Sequence, residues 1–213
     1  MRGRSDALKA GNLKWLVMLA VFDAASAVVF AAPELFDLGM LTIMRIGTAA
    51  VLPIVVLLLI GLLSHEAKAR LVYWKITDPL PGSAAFTKYA PADARIDMKA
   101  LAKNVGLLPV ESREQNAKWY KLYRQVNGDA AVAHTHQLYL MYRDMAAMSL
   151  FLIPLLPTAL WYAGASFVSS GIVGGALVLQ YIASAIGARH SGTRLVCNVL
   201  AIHATAKMDR AAR

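Results

Sequence analysis

Four stretches of the chain are apolar and broken by no more than one charge. Trp15–Ala32 holds only Asp23, Leu41–Leu63 holds only Arg45, and Met145–Val168 and Gly171–Gly187 hold none. Crossing a bilayer takes about 20 apolar residues of helix, so each stretch predicts a transmembrane helix. The first has the basic stub and small residues of a signal peptide, but Asp23 interrupts its apolar run, and it reads as a retained helix.

The pattern changes between the second and third stretches. No breaker follows Leu63 in Ser64–Lys75, which predicts that the second helix continues until Asp78-Pro79-Leu80-Pro81-Gly82 stops it. Asp97 as N-cap and Gly106 past the end predict a short helix over Met98–Val105. Ser112-Arg113-Glu114-Gln115 has the form of a capping box and opens a helix that reaches Asn127-Gly128. Asp129 can cap another from Ala130, which meets no breaker before Pro154 and runs into the third span, where Pro154 and Pro157 kink it. No useful strand alternation and no repeat occurs. The expected fold is all-α: a four-transmembrane-helix protein with a helical cytosolic segment between spans 2 and 3. Its expected divisions are 1–63, 64–144, 145–188 and 189–213. The tail Arg189–Met208 carries Val196, Leu200 and His203 on one face, and either extends the fourth helix or lies on the inner membrane surface.

Composition agrees. Of 213 residues, 58% are hydrophobic and 16% charged, with a mean hydropathy of +0.49. These values argue against a soluble enzyme and a disordered regulator. One cysteine, Cys197, permits no internal disulfide and no multi-cysteine metal site.

The net charge of +9 is unevenly placed. Residues 1–14 carry four Lys and Arg, residues 64–144 carry twelve, and the tail from Arg189 carries five. The loops Pro33–Met40 and Ser169–Ser170 carry none, and the first holds Glu34 and Asp37. Positive charge collects on the cytosolic side of membrane proteins. Both termini and the long middle segment are therefore expected in the cytosol, leaving two short loops outside.

The helix over 113–126 is the most informative segment. At 100° per residue, Arg113, Lys118, Lys121 and Arg124 share an arc of about 140°, and Trp119, Tyr123, Asn116 and Tyr120 fall opposite. One reading is an aromatic core face backed by a solvated basic face. The other adds a phosphate-rich ligand on the cations, with Tyr120 offering a stacking surface at the boundary; a lipid headgroup surface is the alternative anion. His134 and His136 lie 200° apart on a helix and cannot grip one metal together. No G-x-S-x-G, H-E-x-x-H, C-x-x-C or P-loop pattern occurs, so the chain reads as a non-enzyme without a cofactor.

Asp23 and Arg45 are charges inside spans, where an ionised group is costly. They differ in depth by about 7–8 Å. They form either a structural ion pair or, for Asp23, a group facing a watery path between subunits. Gly171 and Gly175 form a G-x-x-x-G, which permits close helix approach within or between subunits.

Several segments carry a resemblance: D-P-L-P-G at 78–82, R-I-D at 95–97, E-Q-N at 114–116, W-Y-K-L-Y at 119–123 and G-T-R-L-V-C-N-V-L-A at 192–201. In these the chain resembles a family of small bacterial four-span proteins of anti-phage defence islands, and looks most like the effector of the Hailong-type system, a DNA-oligomer-gated channel. The resemblance implies an inner-membrane effector, a nucleotide or single-stranded oligonucleotide ligand, and a nucleotidyltransferase partner that makes it. The small-residue face of the fourth span and the need for a path shared among subunits add a homo-oligomer, expected as a tetramer. A non-conducting membrane scaffold that docks a cytosolic protein is the alternative, with a small transporter third.

Overall fold

A computed structural model of the chain describes residues 2–31 and 40–205, with side chains from 12–30, 40 and 42–205. It is 85% helix, and no strand occurs among the described residues. The order is α1 (Arg2–Ala31), α2 (Met40–Gly61), α3 (His65–Tyr73), a 3-10 turn (Pro81–Ala84) leading through a π turn (Ala85–Tyr89) into α4 (Ala90–Ala92), then α5 (Met98–Val105), α6 (Ser112–Val126), α7 (Ala130–Tyr162) and α8 (Phe167–Thr205). Helices α1, α2, α7 and α8 are long and apolar enough to cross a membrane, and the others lie between spans 2 and 3. The all-α, four-span reading holds. The loop expected at Pro33–Met40, with Glu34 and Asp37, lies outside the described residues except for Met40.

Three boundaries differ from expectation. The second helix does not continue to Lys75. It ends at Gly61, where the amides of Leu62 and Leu63 tighten onto carbonyls three residues back, and Ser64 starts a new helix by accepting the Ala67 amide on its hydroxyl at 3.1 Å. A serine in that position competes for backbone donors, which is why it caps rather than continues a helix.

The third span ends at Tyr162 instead of Val168, and the fourth starts at Phe167. Gly164, at φ +85°, ends α7: its amide meets the Trp161 carbonyl and that of Ala165 meets Leu160, the paired bonds of a Schellman motif. Ser166 then caps α8 through the Ser169 amide at 3.0 Å. Of the two fates expected for the tail, the structure has the first, since α8 continues the fourth span to Thr205.

The chain forms two compact units. The first combines residues up to Lys68 with Leu140–Ile186. On α7, Met148, Leu152, Leu156 and Leu160 recur every fourth residue and are fully buried, as one helix face packed inward requires. Small residues serve the first two spans, where Ala20, Ala27 and Ala49 are buried and α1 packs on α2. Only 22% of the positions of each of these two spans are buried within the chain, so most of their apolar side chains are left for lipid or another copy.

The second unit combines Ala69–Tyr139 with the chain from Gly187. Two glycines set its packing. A Cβ at Gly82 would lie 2.5 Å from Asn116 Oδ1 and 2.7 Å from Trp119 Cε3; one at Gly192 would collide with the Tyr73 hydroxyl and the Tyr139 ring. The 3-10 turn is thereby seated on α6, and α8 on α3 and the first turns of α7. Cys197 is buried there, with Sγ 3.8 Å from the Tyr89 carbonyl.

Candidate ligand-binding site

Helix α6 forms as the sequence suggests, but its cap is Glu111, not Ser112. The Glu111 carboxylate accepts the Glu114 amide at 2.8 Å, which holds its pKa below the ordinary glutamate value. The capping-box partner Gln115 is therefore free for another task. It is 1% exposed, and its Oε1 accepts the Phe86 amide at 2.9 Å while its Nε2 donates to the Val110 carbonyl at 2.7 Å. Trp119 and Leu122 are buried beside it. Tyr123 stacks on Trp119 at 5.6 Å between ring centroids, and its hydroxyl meets His136 Nδ1 at 2.8 Å. Burial raises the Tyr123 pKa. His134 is exposed.

The opposite face carries the four expected cations, and they are not equivalent. Lys118 Nζ donates to the carbonyls of Val105 at 2.8 Å and Leu107 at 2.6 Å, so it fastens the end of α5. Arg113 makes one exposed contact, Nε to Asp78 Oδ1 at 3.4 Å. Lys121 and Arg124 are exposed, and neither forms a hydrogen bond or ion pair among the described residues. Tyr120, expected at the boundary of the aromatic face, is 53% exposed. Three cations and one aromatic ring of the expected five residues thus stand open on one helix.

Beside the first turn of α6 lies a feature that residue patterns did not indicate. A cavity of about 420 Å³ is lined by Lys75, Asp78, Ser83, Thr87, Ser112 and Gln115, among others. Ser83 is 8% exposed and lies on the cavity wall. Lys75 is exposed and forms no ion pair among them. These groups come from the turn after α3, the 3-10 and π turns, and α6, which no local spacing relates.

In the first unit, the ion pair expected between Asp23 and Arg45 does not form. Arg45 donates from Nε to the Ala163 carbonyl at 3.2 Å and from Nη2 to the Gly164 carbonyl. A helix end leaves such carbonyls without intrahelical donors and partly negative, so they outcompete a carboxylate about one and a half turns deeper. Asp23, 4% exposed, accepts from Gln180 Nε2 at 3.2 Å, and Gln180 also donates to Ser149 Oγ at 3.0 Å. This polar link joins α1, α7 and α8. Gly171 and Gly175 face open space, whereas Gly174 packs within the chain against Pro157 at 3.3 Å.

A second polar cluster escaped the sequence reading. Asp144 Oδ1 receives Arg143 Nη2 at 2.8 Å and Lys68 Nζ at 3.2 Å, and Arg143 Nη1 meets His65 Nδ1 at 2.9 Å. Lys68 and Arg143 are both buried. Among the described residues no group of three or more His, Cys, Asp or Glu is placed to hold a metal ion. Comparison with protein-family models, curated proteins and solved structures returns no match.

Proposed function

We propose that this multi-pass membrane protein is an oligomeric effector of the bacterial inner membrane. In this reading it acts as a channel in anti-phage defence, gated by a nucleotide or single-stranded oligonucleotide made by a partner nucleotidyltransferase. The observation that carries the reading is the exposed row on α6, with Arg113, Lys121 and Arg124 beside Tyr120. Cations that neutralise phosphates next to a ring on which a base stacks are the common parts of single-strand binding. The defence role and the partner enzyme rest on the resemblance of segments 78–82, 95–97, 114–116, 119–123 and 192–201.

The distribution of Lys and Arg supports a cytosolic place for both termini and the middle segment in this reading. Gly171 and Gly175, open on α8, offer a second copy a close approach. Four helices enclose no wide aqueous path by themselves, so conduction belongs to an assembly, taken here as a tetramer. Ligand binding shifts the channel only by its differential affinity for open and closed states.

The test is binding of short single-stranded oligonucleotides over a range of salt. Three phosphate contacts give a logarithmic slope of about −2. Lys121→Ala is expected to weaken all base sequences alike and flatten that slope. Tyr120→Ala is expected to lose about 1–3 kcal/mol with the slope unchanged. No binding at low salt, or identical behaviour of both variants and the parent, defeats the reading.

A membrane scaffold is the second reading. Ile76, Leu107 and Val110, 86%, 88% and 78% exposed, favour it as apolar contacts for a docked protein. Depolarisation of cells on induced expression belongs to the channel and not to the scaffold.

A further inference from the structure

The cavity beside α6 permits a more specific assignment, which rests on the oligonucleotide reading above. We infer that it takes the terminal phosphate of the strand, with the nucleotide that bears it. Its volume of about 420 Å³ lies low in the ~300–1,000 Å³ range of small-molecule sites. That suits one nucleotide unit, not the length of a strand.

The lining has the matching chemistry. Ser83, buried, and Ser112 line the wall with hydroxyl-bearing side chains, while the Thr87 hydroxyl there is bonded to Gln115. Lys75 brings an unpaired ammonium group. Arg113, with its side chain 82% exposed, makes a single long contact, 3.4 Å to Asp78, and also faces the charge of Glu111, so it can turn to an incoming phosphate. The Glu111 carboxylate already occupies the start of α6, and the phosphate is therefore held by side chains and not by the helix end.

Asp78 tempers the gain. Its carboxylate, on the cavity wall, repels anions and competes for Arg113. A terminal phosphate carries about −1.5 to −2 charges at pH 7, against one for an internal diester. The terminal group displaces the Asp78–Arg113 contact more effectively than an internal one. The cavity thus reads the end of the strand, and the row Lys121, Arg124 and Tyr120 holds its body.

The experiment uses the full-length protein in detergent and three oligothymidylates of equal length, bearing a 5′-phosphate, a 3′-phosphate or hydroxyls at both ends. A phosphate at one end is expected to raise affinity about tenfold, as one charged hydrogen-bonded contact does. Lys75→Ala and Ser83→Ala are expected to erase that gain and leave the hydroxyl-ended strand unaffected. Lys121→Ala should weaken all three strands and preserve the gain. Asp78→Asn should enlarge the gain, and it keeps the test decisive if Ser83→Ala fails to fold. Equal binding of the three strands overturns the assignment, as does a gain that survives Lys75→Ala, while the oligonucleotide reading stands. Inorganic phosphate that displaces the phosphorylated strand as well as a terminally phosphorylated mononucleotide does would also overturn it. Failure of every strand to bind at low salt overturns both.

Discussion

Arg189 lies over Trp74, with its guanidinium carbon 3.8 Å from the ring centroid, and its Nε donates to the Val72 carbonyl at 2.7 Å. Trp74 sits at φ +53°, a left-handed conformation that costs a non-glycine residue about 1–2 kcal/mol. One side chain of α8 thus closes the end of α3 and offsets the strain of the residue that terminates it.

Replacing Arg189 with lysine keeps the charge and loses the flat stacking group and the Nε donor. A loss of about 1–2 kcal/mol is expected. Thermal unfolding in detergent, with the exposed Arg194→Lys as control, measures it; equal midpoints for the two variants would show that the contact adds nothing.

Gln115→Leu should be among the most destabilising changes in the second unit. It strands the Phe86 amide and the Val110 carbonyl, and each unmatched buried group costs about 1–3 kcal/mol. Faster hydrogen exchange at the Phe86 amide would accompany the lower melting point. An unchanged rate at that amide argues that its bond to Gln115 is not formed in solution.

These two residues show what the sequence could reveal. Spans, stops and caps depend on neighbours within a turn or two, so Asp97, Gly106 and Asp129 identified helix ends correctly. Gln115 looked like a cap because the local motif matched, yet Glu111 stands one residue earlier and wins the amide. Its real partners, Phe86 and Thr87, lie 29 and 28 residues away. Segments 78–82, 95–97 and 192–201 have packing roles: Gly82 admits Trp119, Gly192 admits Tyr73 and Tyr139, and Arg95 Nη1 reaches Asn198 Oδ1 at 3.0 Å. The α6 cations were legible from periodicity; the role of Lys118 in fastening α5 was not, because it depends on where a neighbouring helix ends. The cavity residues come from four separate segments and leave no periodic trace.

Asp23→Leu should loosen the first unit by removing the acceptor that ties α1 to Gln180, and Asp23→Asn, which keeps an acceptor oxygen, should do so less. Conductance and oligomer stability are the measurements. Wild-type values of both in both variants would deny the aspartate any part in conduction or assembly.

Gly171→Leu with Gly175→Leu should leave the fold of one chain intact, since neither glycine touches anything within 4 Å, and should weaken assembly. Size-exclusion chromatography with light scattering in mild detergent reads the mass. An oligomer of unchanged mass and stability would move the subunit contact elsewhere.

The Asp93–Arg95 turn should weaken in acid. The hydrogen bond from Arg95 and burial act in opposite directions on the Asp93 carboxyl; the bond wins and holds the pKa well below the usual aspartate value. A depressed folded pKa means the contribution is complete above the unfolded value of about 3.9 and is lost as pH falls below it. Arg95 is 57% exposed, so solvent screening limits the effect to about 1 kcal/mol or less. Stability profiles of the parent and Asp93→Asn should draw together progressively as pH falls from about 4 toward the folded pKa; parallel profiles over that whole range would deny the pairing.

The carbonyls that receive Arg45 have a consequence for biogenesis. They stand 118 and 119 residues later in the chain. At about 5–20 residues per second, translation takes roughly 6–24 s to deliver them. Throughout that interval the second span is already made and its arginine has no partner, so its guanidinium must snorkel to the headgroups. Arrival of the Ala163–Gly164 turn, carried between the last two spans, allows the side chain to leave the lipid interface. Arg45 therefore acts as a latch between early and late spans, and insertion of the first pair alone is an unfinished state by construction.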